Sequence, residues 1–192
     1  MSQPVGILLA AGNSSRFGSH KLLHPLPDGT PLGVASARVM RFVLDRVVAV
    51  VRTGDDELAA LLCNAGCETV VCARAEEGMG ASLACGVACA SDAVGWVVAL
   101  ADMPFIQSAT IVAVSEALTD GASIVAPVLL DGRRGHPVGF AAEWYGQLCA
   151  LDGDSGARGL LTGSRERLTL LPTADAGCVV DVDIPADLAL SR

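Results

Sequence analysis

The sequence predicts an α/β fold in which a mostly parallel sheet carries helices on both faces. Apolar, β-branched runs at residues 5–9, 46–51 and 67–72 have the length and composition of buried strands. Segments whose apolar residues recur at helical spacing separate these runs, and strands that alternate with helices favour parallel pairing. The composition agrees, because 52% of the 192 residues are hydrophobic and only 4% are aromatic, so Ala, Val and Leu must build the core.

The same periodicities place the remaining elements along the chain. We expect helices at residues 32–43, 55–63, 109–118 and 143–151, and a further helix that the stretch at residues 76–83 opens and that reaches about residue 90. We expect further strands at residues 94–101, 123–130, 168–171 and 179–182. No long linker, repeat or low-complexity segment interrupts this order, so residues 1–192 are predicted to form a single domain.

Charge and cysteine content restrict the partners and the compartment. The net charge of −8 argues against a nucleic-acid or membrane surface, and no apolar stretch approaches the ~20 residues that span a bilayer. The N-terminus shows no targeting segment. Seven cysteines without a C-x-x-C pair fit neither a disulfide framework nor a zinc ribbon. We therefore expect a cytoplasmic protein that binds neither nucleic acid nor membrane.

Residues 5–21 contain the strongest functional pattern. The first strand runs into a series of small residues at positions 10–15, so a ligand can approach the backbone amides closely. Arg16 and Lys21 then provide two positive charges that suit phosphate oxygens. An ordinary connection rich in small residues is the alternative, but such a connection would not require the two charges. The pattern therefore predicts a phosphate-binding loop.

Two familiar phosphate-binding loops do not match this stretch. Gly12 and Gly18 are one residue too far apart for a Walker A loop, and Ser19 stands where that loop has its lysine. Ser14 occupies the position of the second glycine in a dinucleotide-binding fingerprint. A different class of phosphate-binding loop is therefore expected.

The loop is similar to the signature loop of the nucleotidyltransferases, which couple a nucleoside triphosphate to a phosphate-bearing acceptor. The shared string is Leu-Ala-Ala-Gly-x-Ser-x-Arg-Phe-Gly-x-x-Lys at residues 9–21. This resemblance implies a Rossmann-like fold of the nucleotide-diphospho-sugar transferase type. It assigns nucleotide binding to Leu9, Ala10, Ala11, Gly12, Ser14, Arg16 and Lys21.

A second glycine-containing stretch, Glu-Glu-Gly-Met-Gly-Ala-Ser-Leu at residues 76–83, follows the third strand and opens a helix. Main-chain groups and a hydroxyl at a helix N-terminus can bind a phosphate or a base, although simple N-capping is an alternative. The Gly-x-x-x-Ser-Leu pattern is similar to the base- and ribose-contacting loop of the molybdenum-cofactor nucleotidyltransferases. That resemblance adds Gly78, Gly80 and Ser82 to the nucleotide-binding residues.

Asp102 follows the strand predicted at residues 94–101, so its carboxylate should face the ligand edge of the sheet. Beside a bound triphosphate, a carboxylate in this position would hold Mg²⁺, which prefers oxygen ligands. Helix capping is the alternative, but the next helix begins too far downstream. The Leu-Ala-Asp-Met-Pro string at residues 100–104 resembles the metal motif of the nucleotidyltransferases.

Asp181 and Asp183 form a second acidic site near the C-terminus. In the strand predicted at residues 179–182 they would lie on the same face, where two carboxylates repel unless a cation joins them. The family pattern has an acidic or amide pair before Thr-Pro-Glu-Asp, and here Ile184 and Ala186 replace Thr and Glu. The metal role is therefore carried over first to Asp183 and second to Asp181.

Two further segments are predicted to bind the acceptor. The locally basic turn at residues 131–140 contains Gly-His-Pro-Val, which resembles the acceptor-side segment of the molybdenum-cofactor enzymes, although solvated turn residues are an alternative. The string Gly-Asp-x-Gly-Ala-Arg at residues 153–158 resembles a segment of their cytidylyl members, and capping of a short helix by Asp154 is left equally open. Acceptor binding is assigned to Arg134, Gly135, His136, Pro137, Asp154 and Arg158.

Within the molybdenum-cofactor nucleotidyltransferases, these motifs resemble the cytidylyltransferases more than the guanylyltransferases, in which a glycine commonly replaces Ala11. The resemblance implies transfer from CTP to molybdopterin with release of pyrophosphate, giving molybdopterin cytosine dinucleotide. It further implies Mg²⁺ as the cofactor, and a molybdenum hydroxylase or its chaperone as a partner. The implied catalytic residues are Arg16, Lys21 and Asp102.

Two other functions remain open on the same residues. A sister enzyme could use GTP or another phosphorylated acceptor, such as a sugar or polyol phosphate, and nucleotide selectivity would distinguish it. A non-catalytic chaperone could instead bind a nucleotide or cofactor on the same fold. Such a binding protein would show affinity for the nucleotide without release of pyrophosphate.

Overall fold

The computed structural model describes residues 3–12, 20–154, 156–184 and 187. Within these residues the strands are β1 (Val5–Leu9), β2 (Val47–Arg52), β3 (Glu68–Cys72), β4 (Gly95–Leu100), β5 (Ile124–Val128), β6 (Val138–Ala141) and β7 (Leu168–Pro172). The α-helices are α1 (Leu32–Val43), α2 (Asp56–Asn64), α3 (Met79–Ala88), α4 (Ser108–Thr119), α5 (Tyr145–Cys149) and α6 (Arg158–Gly163).

The strands form one sheet in the order β3-β2-β1-β4-β6-β5-β7. β1 pairs in parallel with β2 and β4, β2 with β3, and β5 with β7. Only β6 among these strands runs antiparallel to its neighbours, because it follows β5 through the turn at residues 129–137. The predicted α/β fold with a mostly parallel sheet is therefore confirmed.

Helices pack on both faces of the sheet, which explains why its central strands are apolar throughout. Ile7 and Leu8 of β1 are both fully buried, Ile7 in the layer with Leu83 of α3 and Leu8 in the layer with Met40 of α1. An added Cβ at Gly86 of α3 would lie 2.8 Å from a methyl group of Ile7, so this glycine allows α3 to approach the sheet closely. Among the helices of the described residues, none has the length and apolar character that crossing a membrane requires.

The prediction of a strand at residues 179–182 is wrong. Ala176–Val179 form a 3-10 helix, and residues 180–183 belong to no strand. The Val182 amide donates a 2.9 Å hydrogen bond to the backbone carbonyl of Asp102, so the segment closes over the end of β4 instead of extending the sheet. The alternating apolar pattern arises because Val182 is fully buried while Asp181 is exposed.

Candidate active site

The carboxyl ends of β1 and β4 lie side by side, because these two strands pair in parallel. The Leu9 carbonyl accepts a 3.0 Å hydrogen bond from the Ala101 amide, which holds the ends of the two strands together. Gly12 and Asp102 follow at this edge, where open parallel sheets bind their ligands. The fold therefore brings Gly12, at the start of the predicted phosphate loop, to the same edge of the sheet as the predicted metal ligand.

Lys21 joins two of the predicted metal-binding carboxylates. Its ammonium donates a 2.8 Å hydrogen bond to Asp102 Oδ2 and a 3.2 Å hydrogen bond to Asp183 Oδ1. The Lys21 side chain is 12% exposed and the Asp183 side chain is 46% exposed, so the cluster is open on the Asp183 side. One cation thus connects the end of the first loop, the end of β4 and the C-terminal segment.

The two carboxylates keep the Lys21 ammonium charged. Burial alone lowers the pKa of Lys21, but hydrogen bonds and charges from Asp102 and Asp183 outweigh that effect and hold the pKa above its ordinary value. A lysine ammonium binds phosphate as a compact point charge. Lys21 is therefore a permanent positive charge at the ligand edge of the sheet.

Asp102 and Asp183 fit a divalent cation by their chemistry. Asp102 Oδ1 is buried and has no hydrogen-bond partner among the described residues, so this oxygen can accept a ligand. The same residues contain no cluster of three His, Cys, Asp or Glu side chains placed to hold a metal. Mg²⁺ beside a triphosphate needs only one or two carboxylates, because phosphate and water complete its shell. The pair therefore fits Mg²⁺ that binds together with a nucleotide.

The predicted acceptor segment is held at the same end of the sheet by its backbone. The His136 amide donates a 2.7 Å hydrogen bond to the Cys178 carbonyl, and the Gly135 amide donates a 2.9 Å hydrogen bond to the Pro127 carbonyl. An added Cβ at Gly135 would lie 2.2 Å from the Cys178 carbonyl oxygen, so only glycine permits this approach. The C-terminal segment that carries Asp183 therefore also holds the acceptor segment.

The His136 imidazole lies within the field of the acidic residues. Burial lowers the pKa of His136 below its ordinary value, although a hydrogen bond with the Val98 backbone and the charges of Asp102 and Asp181 oppose this shift. Its Nδ1 atom is buried and lacks a hydrogen-bond partner among the described residues. At pH 7 the side chain is therefore a neutral imidazole with one nitrogen able to bind a ligand.

A second group of predicted residues meets at the N-terminus of α3. The Gly80 amide donates a 2.8 Å hydrogen bond to the Gly153 carbonyl. Gly78 has φ 122°, and an added Cβ there would lie 2.5 Å from Asp154 Oδ1. An added Cβ at Gly80 would lie 2.3 Å from the Asp152 carbonyl oxygen. The glycines predicted to bind the nucleotide therefore pack directly against the segment predicted to bind the acceptor.

The structure also decides two capping interpretations. Ser82 is 4% exposed inside α3, where its hydroxyl donates a 3.4 Å hydrogen bond to the Gly78 carbonyl, so Ser82 is not an N-cap. Helix α6 has Ala157 as its N-cap residue and no capping side-chain hydrogen bond. Interpreting Asp154 as a cap of that helix is therefore wrong.

The remaining predicted residues occupy three kinds of position. Arg134, Arg158 and Asp181 are exposed, and Asp181 affects His136 electrostatically. Ser14 and Arg16 lie outside the described residues. Buried positions are occupied by Leu9, Ala10, Ala11 and Pro137. The roles of all these residues in nucleotide, acceptor and metal binding remain predictions.

The sequence patterns do not identify one buried carboxylate near the site. Asp175 is 4% exposed and accepts hydrogen bonds from both the start of α4 and the turn that follows Asp175 itself. The Asp-x-Gly string at residues 175–177 is a turn signal that could have identified the local bond. No sequence pattern indicates the long-range contact with α4.

Comparison with known proteins identifies relatives over almost the whole chain. The model of the MobA-like NTP transferase domain matches residues 6–169, a range that includes Lys21 and Asp102 and ends before Asp183. The purine catabolism protein PucB from Bacillus subtilis is 32% identical over 199 residues, covering 98% of this chain and 95% of that protein.

Two solved structures are also similar to this chain over almost its whole length. Rv0371c from Mycobacterium tuberculosis H37Rv is 29% identical with a TM-score of 0.85, covering 99% of this chain and 97% of that chain. Its complex with manganese is 28% identical with a TM-score of 0.80, covering 99% of this chain and 98% of that chain. Both alignments cover 99% of this chain, and so include the positions of its candidate site residues.

Proposed function

This chain belongs to the family of MobA-like NTP transferase domains, and we propose that it transfers the cytidylyl group of CTP to molybdopterin with release of pyrophosphate. The observation that carries the proposal is the position of Lys21 between Asp102 and Asp183 at the carboxyl ends of β1 and β4. A fixed cation beside a carboxylate pair can bind a triphosphate together with a divalent ion.

The choice of substrates is supported by sequence strings at three places. Ala-Ala-Gly at residues 10–12, Gly-His-Pro-Val at residues 135–138 and Gly-Asp-x-Gly-Ala-Arg at residues 153–158 resemble the molybdopterin cytidylyltransferases. The hydrogen bond from Gly80 to Gly153 supports a shared site, because it joins the proposed nucleotide loop to the proposed acceptor segment.

In the proposed reaction, the terminal phosphate of molybdopterin attacks the α-phosphorus of CTP, one P–O bond forms and the bond to pyrophosphate breaks. Lys21 and Arg16 stabilise negative charge on the phosphates, and the neutral His136 orients the acceptor. Asp102 and Asp183 would hold Mg²⁺, which supplies charge neutralisation at the phosphate oxygens. No protein nucleophile is required, so the residues act by positioning and electrostatics.

The manganese complex of Rv0371c supports a divalent cation in the proposed reaction. The name of the Bacillus relative refers to purine catabolism. We propose that the molybdopterin cytosine dinucleotide is delivered to a molybdenum hydroxylase that acts on purines. Such a client would connect cofactor synthesis by this chain with the purine catabolism in the name of its relative. Analysis of the dinucleotide bound to such a hydroxylase, produced with and without this chain, tests the pairing, and equal dinucleotide content would exclude it.

The decisive experiment measures pyrophosphate release with molybdopterin, Mg²⁺ and either CTP or GTP. Wild-type protein should release pyrophosphate with CTP, and Asp102→Asn should lower kcat by about 100-fold or more, comparable to the loss of one preorganised charge-stabilising group. Asp92→Asn is the matched control, because Asp92 is 81% exposed and precedes β4, at the opposite edge of the sheet.

Each other outcome selects a different function. Release with GTP alone would keep the reaction and replace the nucleotide, and release only with another phosphorylated acceptor would replace molybdopterin. Nucleotide binding without release of pyrophosphate would favour a non-catalytic chaperone. Equal activity of Asp102→Asn and Asp92→Asn would remove Asp102 from the proposed machinery.

A further inference from the structure

Asp175 ties two distant segments together inside the protein. Its carboxylate is 4% exposed, and Oδ2 accepts hydrogen bonds from the Gln107 amide at 2.9 Å and the Thr110 hydroxyl at 2.7 Å. Oδ1 accepts a 3.0 Å hydrogen bond from the Gly177 amide. Hydrogen bonds to a carboxylate are about twice as strong as neutral ones, so Asp175 fixes the turn at residues 175–177 to the start of α4.

Both segments lead directly to the candidate cation site. Helix α4 follows the loop that begins at Asp102, and the turn after Asp175 leads to Asp183. An added Cβ at Gly177 would lie 2.0 Å from the Phe105 carbonyl oxygen, so the two backbones touch at this point. Further along, the Val182 amide donates its 2.9 Å hydrogen bond to the Asp102 carbonyl. The segment carrying Asp183 is thus fixed to the Asp102 loop at both of its ends.

The same turn supports the acceptor side of the site. The Cys178 amide donates a 3.2 Å hydrogen bond to the Asp175 carbonyl, and the Cys178 carbonyl accepts the 2.7 Å hydrogen bond from the His136 amide. A displacement of the turn would therefore move His136 as well as Asp183. Both hydrogen bonds of Cys178 join backbone groups, so a shift of the turn is transmitted directly to the backbone of His136.

We propose that Asp175 is a positioning residue that sets the separation of Asp102 and Asp183 for a divalent cation bound with the nucleotide. The inference rests on the proposed function, because it assigns Asp175 to the cation site of that reaction. Groups that hydrogen-bond metal ligands directly change metal affinity by about 10–100-fold when they are replaced, and Asp175, which acts through the backbone of both segments, should fall at the lower end of this range. If Asp175 were only a structural helix cap, its replacement would lower the stability of the protein without a specific loss of metal affinity.

The test compares Mn²⁺ binding in the presence of CTP, followed by the electron paramagnetic resonance signal of free Mn²⁺, with CTP binding in the presence of EDTA. Asp175→Asn should weaken Mn²⁺ binding by about tenfold and leave metal-free CTP affinity within about twofold. The replacement presents an amide NH₂ where a carboxylate oxygen accepts, so one of the two segments loses its partner.

Thr110 supplies a milder pair of variants in case Asp175→Asn does not fold. Thr110→Val removes one donor to Asp175 while keeping the side-chain volume, and Thr110→Ser keeps the hydroxyl. We expect Thr110→Val to weaken Mn²⁺ binding several-fold and Thr110→Ser to restore it. Thermal unfolding curves would confirm that every measurement is made on folded protein.

Three outcomes would overturn the inference. They are unchanged Mn²⁺ affinity in folded variants, equal Mn²⁺ affinity of Thr110→Val and Thr110→Ser, and an equal fall in Mn²⁺ and metal-free CTP affinity. If wild-type protein with CTP binds no Mn²⁺, the proposed function fails together with the inference. Wild-type binding that depends on Asp102 but not on Asp175 or Thr110 would overturn the inference alone.

Discussion

Lys21 Nζ lies 2.8 Å from Asp102 Oδ2, a contact between residues that are 81 positions apart in the chain. The same ammonium reaches Asp183 Oδ1 at 3.2 Å across 162 positions. A positive charge thus occupies the space between the two carboxylates that are proposed to bind Mg²⁺. A divalent ion bound to both carboxylates would lie close to the Lys21 ammonium, and the two cations would repel. Lys21 and the ion therefore compete for the carboxylate pair unless the ammonium binds a triphosphate instead.

Replacement of Lys21 by Met should therefore have opposite effects on metal binding and on turnover. Without nucleotide, Lys21→Met should bind Mn²⁺ at least about fivefold more tightly, because even unit charges at 4 Å in water repel by about 1 kcal/mol. The same variant should lose turnover by about 100-fold or more, since the phosphates lose their fixed positive charge. Titration of Mn²⁺ by electron paramagnetic resonance and a pyrophosphate assay measure the two effects.

Arg38→Met, at an exposed position of α1, is the control for loss of one positive charge. Equal Mn²⁺ affinity in Lys21→Met and wild type, or near-normal turnover of Lys21→Met, would contradict the assignment. Lys21 is also the single lysine in the sequence, so a ¹⁵N-lysine label reports on this side chain alone. Its Nζ resonance should shift at lower Mg²⁺ concentration when CTP is present.

The sequence was sufficient to predict this contact only in part. Lys21 and Asp102 each follow a recognisable apolar strand, and parallel strands place their carboxyl ends at one edge. The metal role of Asp183 follows in the sequence from the family pattern and from a strand predicted at residues 179–182, but residues 180–183 form no strand. The hydrogen bond from the Val182 amide to the Asp102 carbonyl is what holds Asp183 beside Asp102. A single backbone bond of this kind leaves no periodic signal in the sequence.

Gly12 offers a way to separate ligand binding from folding. An added Cβ at Gly12 would meet no atom of the described residues within 4 Å, and its φ lies outside the left-handed region. Gly12→Ala should therefore change the free energy of unfolding by no more than about 0.5 kcal/mol. CTP affinity should fall by about 10–100-fold, because a methyl group would keep phosphate from the backbone amides and a hydrogen bond to a charged group is worth about 1.5–3 kcal/mol.

Calorimetric titration with CTP and thermal unfolding test this prediction together. Gly146→Ala in α5 is the matched control, since an added Cβ there also has open space. Unchanged CTP affinity of Gly12→Ala would exclude close approach of the nucleotide at Gly12. Equal loss of affinity in both variants would point to a general effect of the substitution.

The opposite behaviour is expected at Gly80. An added Cβ would lie 2.3 Å from the Asp152 carbonyl oxygen, so Gly80→Ala must push the segment at residues 152–154 away from α3. Forcing a methyl group into such a contact costs about 1–3 kcal/mol of unfolding free energy. Affinity for CTP and for molybdopterin should both fall, because Gly80 belongs to the proposed nucleotide loop and its partner to the proposed acceptor segment.

Denaturant unfolding and binding of each substrate measure the effect of Gly80→Ala. Gly159→Ala in α6 is the control, because its Cβ has open space and alanine favours helix by up to about 1 kcal/mol. A variant that loses stability but binds both substrates normally would separate this contact from the site. The contact also shows why the sequence could not predict how its motifs meet: the glycines at residues 78–80 indicate close approach, but not which segment approaches.

Cys67 should make the stability of the protein depend on alkaline pH. Burial raises the pKa of Cys67 to about 11, and a nearby positive charge on Arg41 only partly opposes the shift. The unfolded thiol ionises near its ordinary pKa of about 8.5. Between these two values the folded state binds more protons than the unfolded state, so the free energy of unfolding falls as pH rises, by up to about 1.4 kcal/mol per pH unit.

The difference between wild type and Cys67→Ala isolates this contribution, because all other titrating groups are shared. Urea unfolding between pH 8 and pH 11 should give a steeper decline for wild type than for the variant. In the folded protein at pH 8.5, an alkylating reagent should modify the exposed Cys63 before Cys67. Parallel stability curves for the two proteins, or equal alkylation of both thiols, would show that Cys67 is not protected by burial.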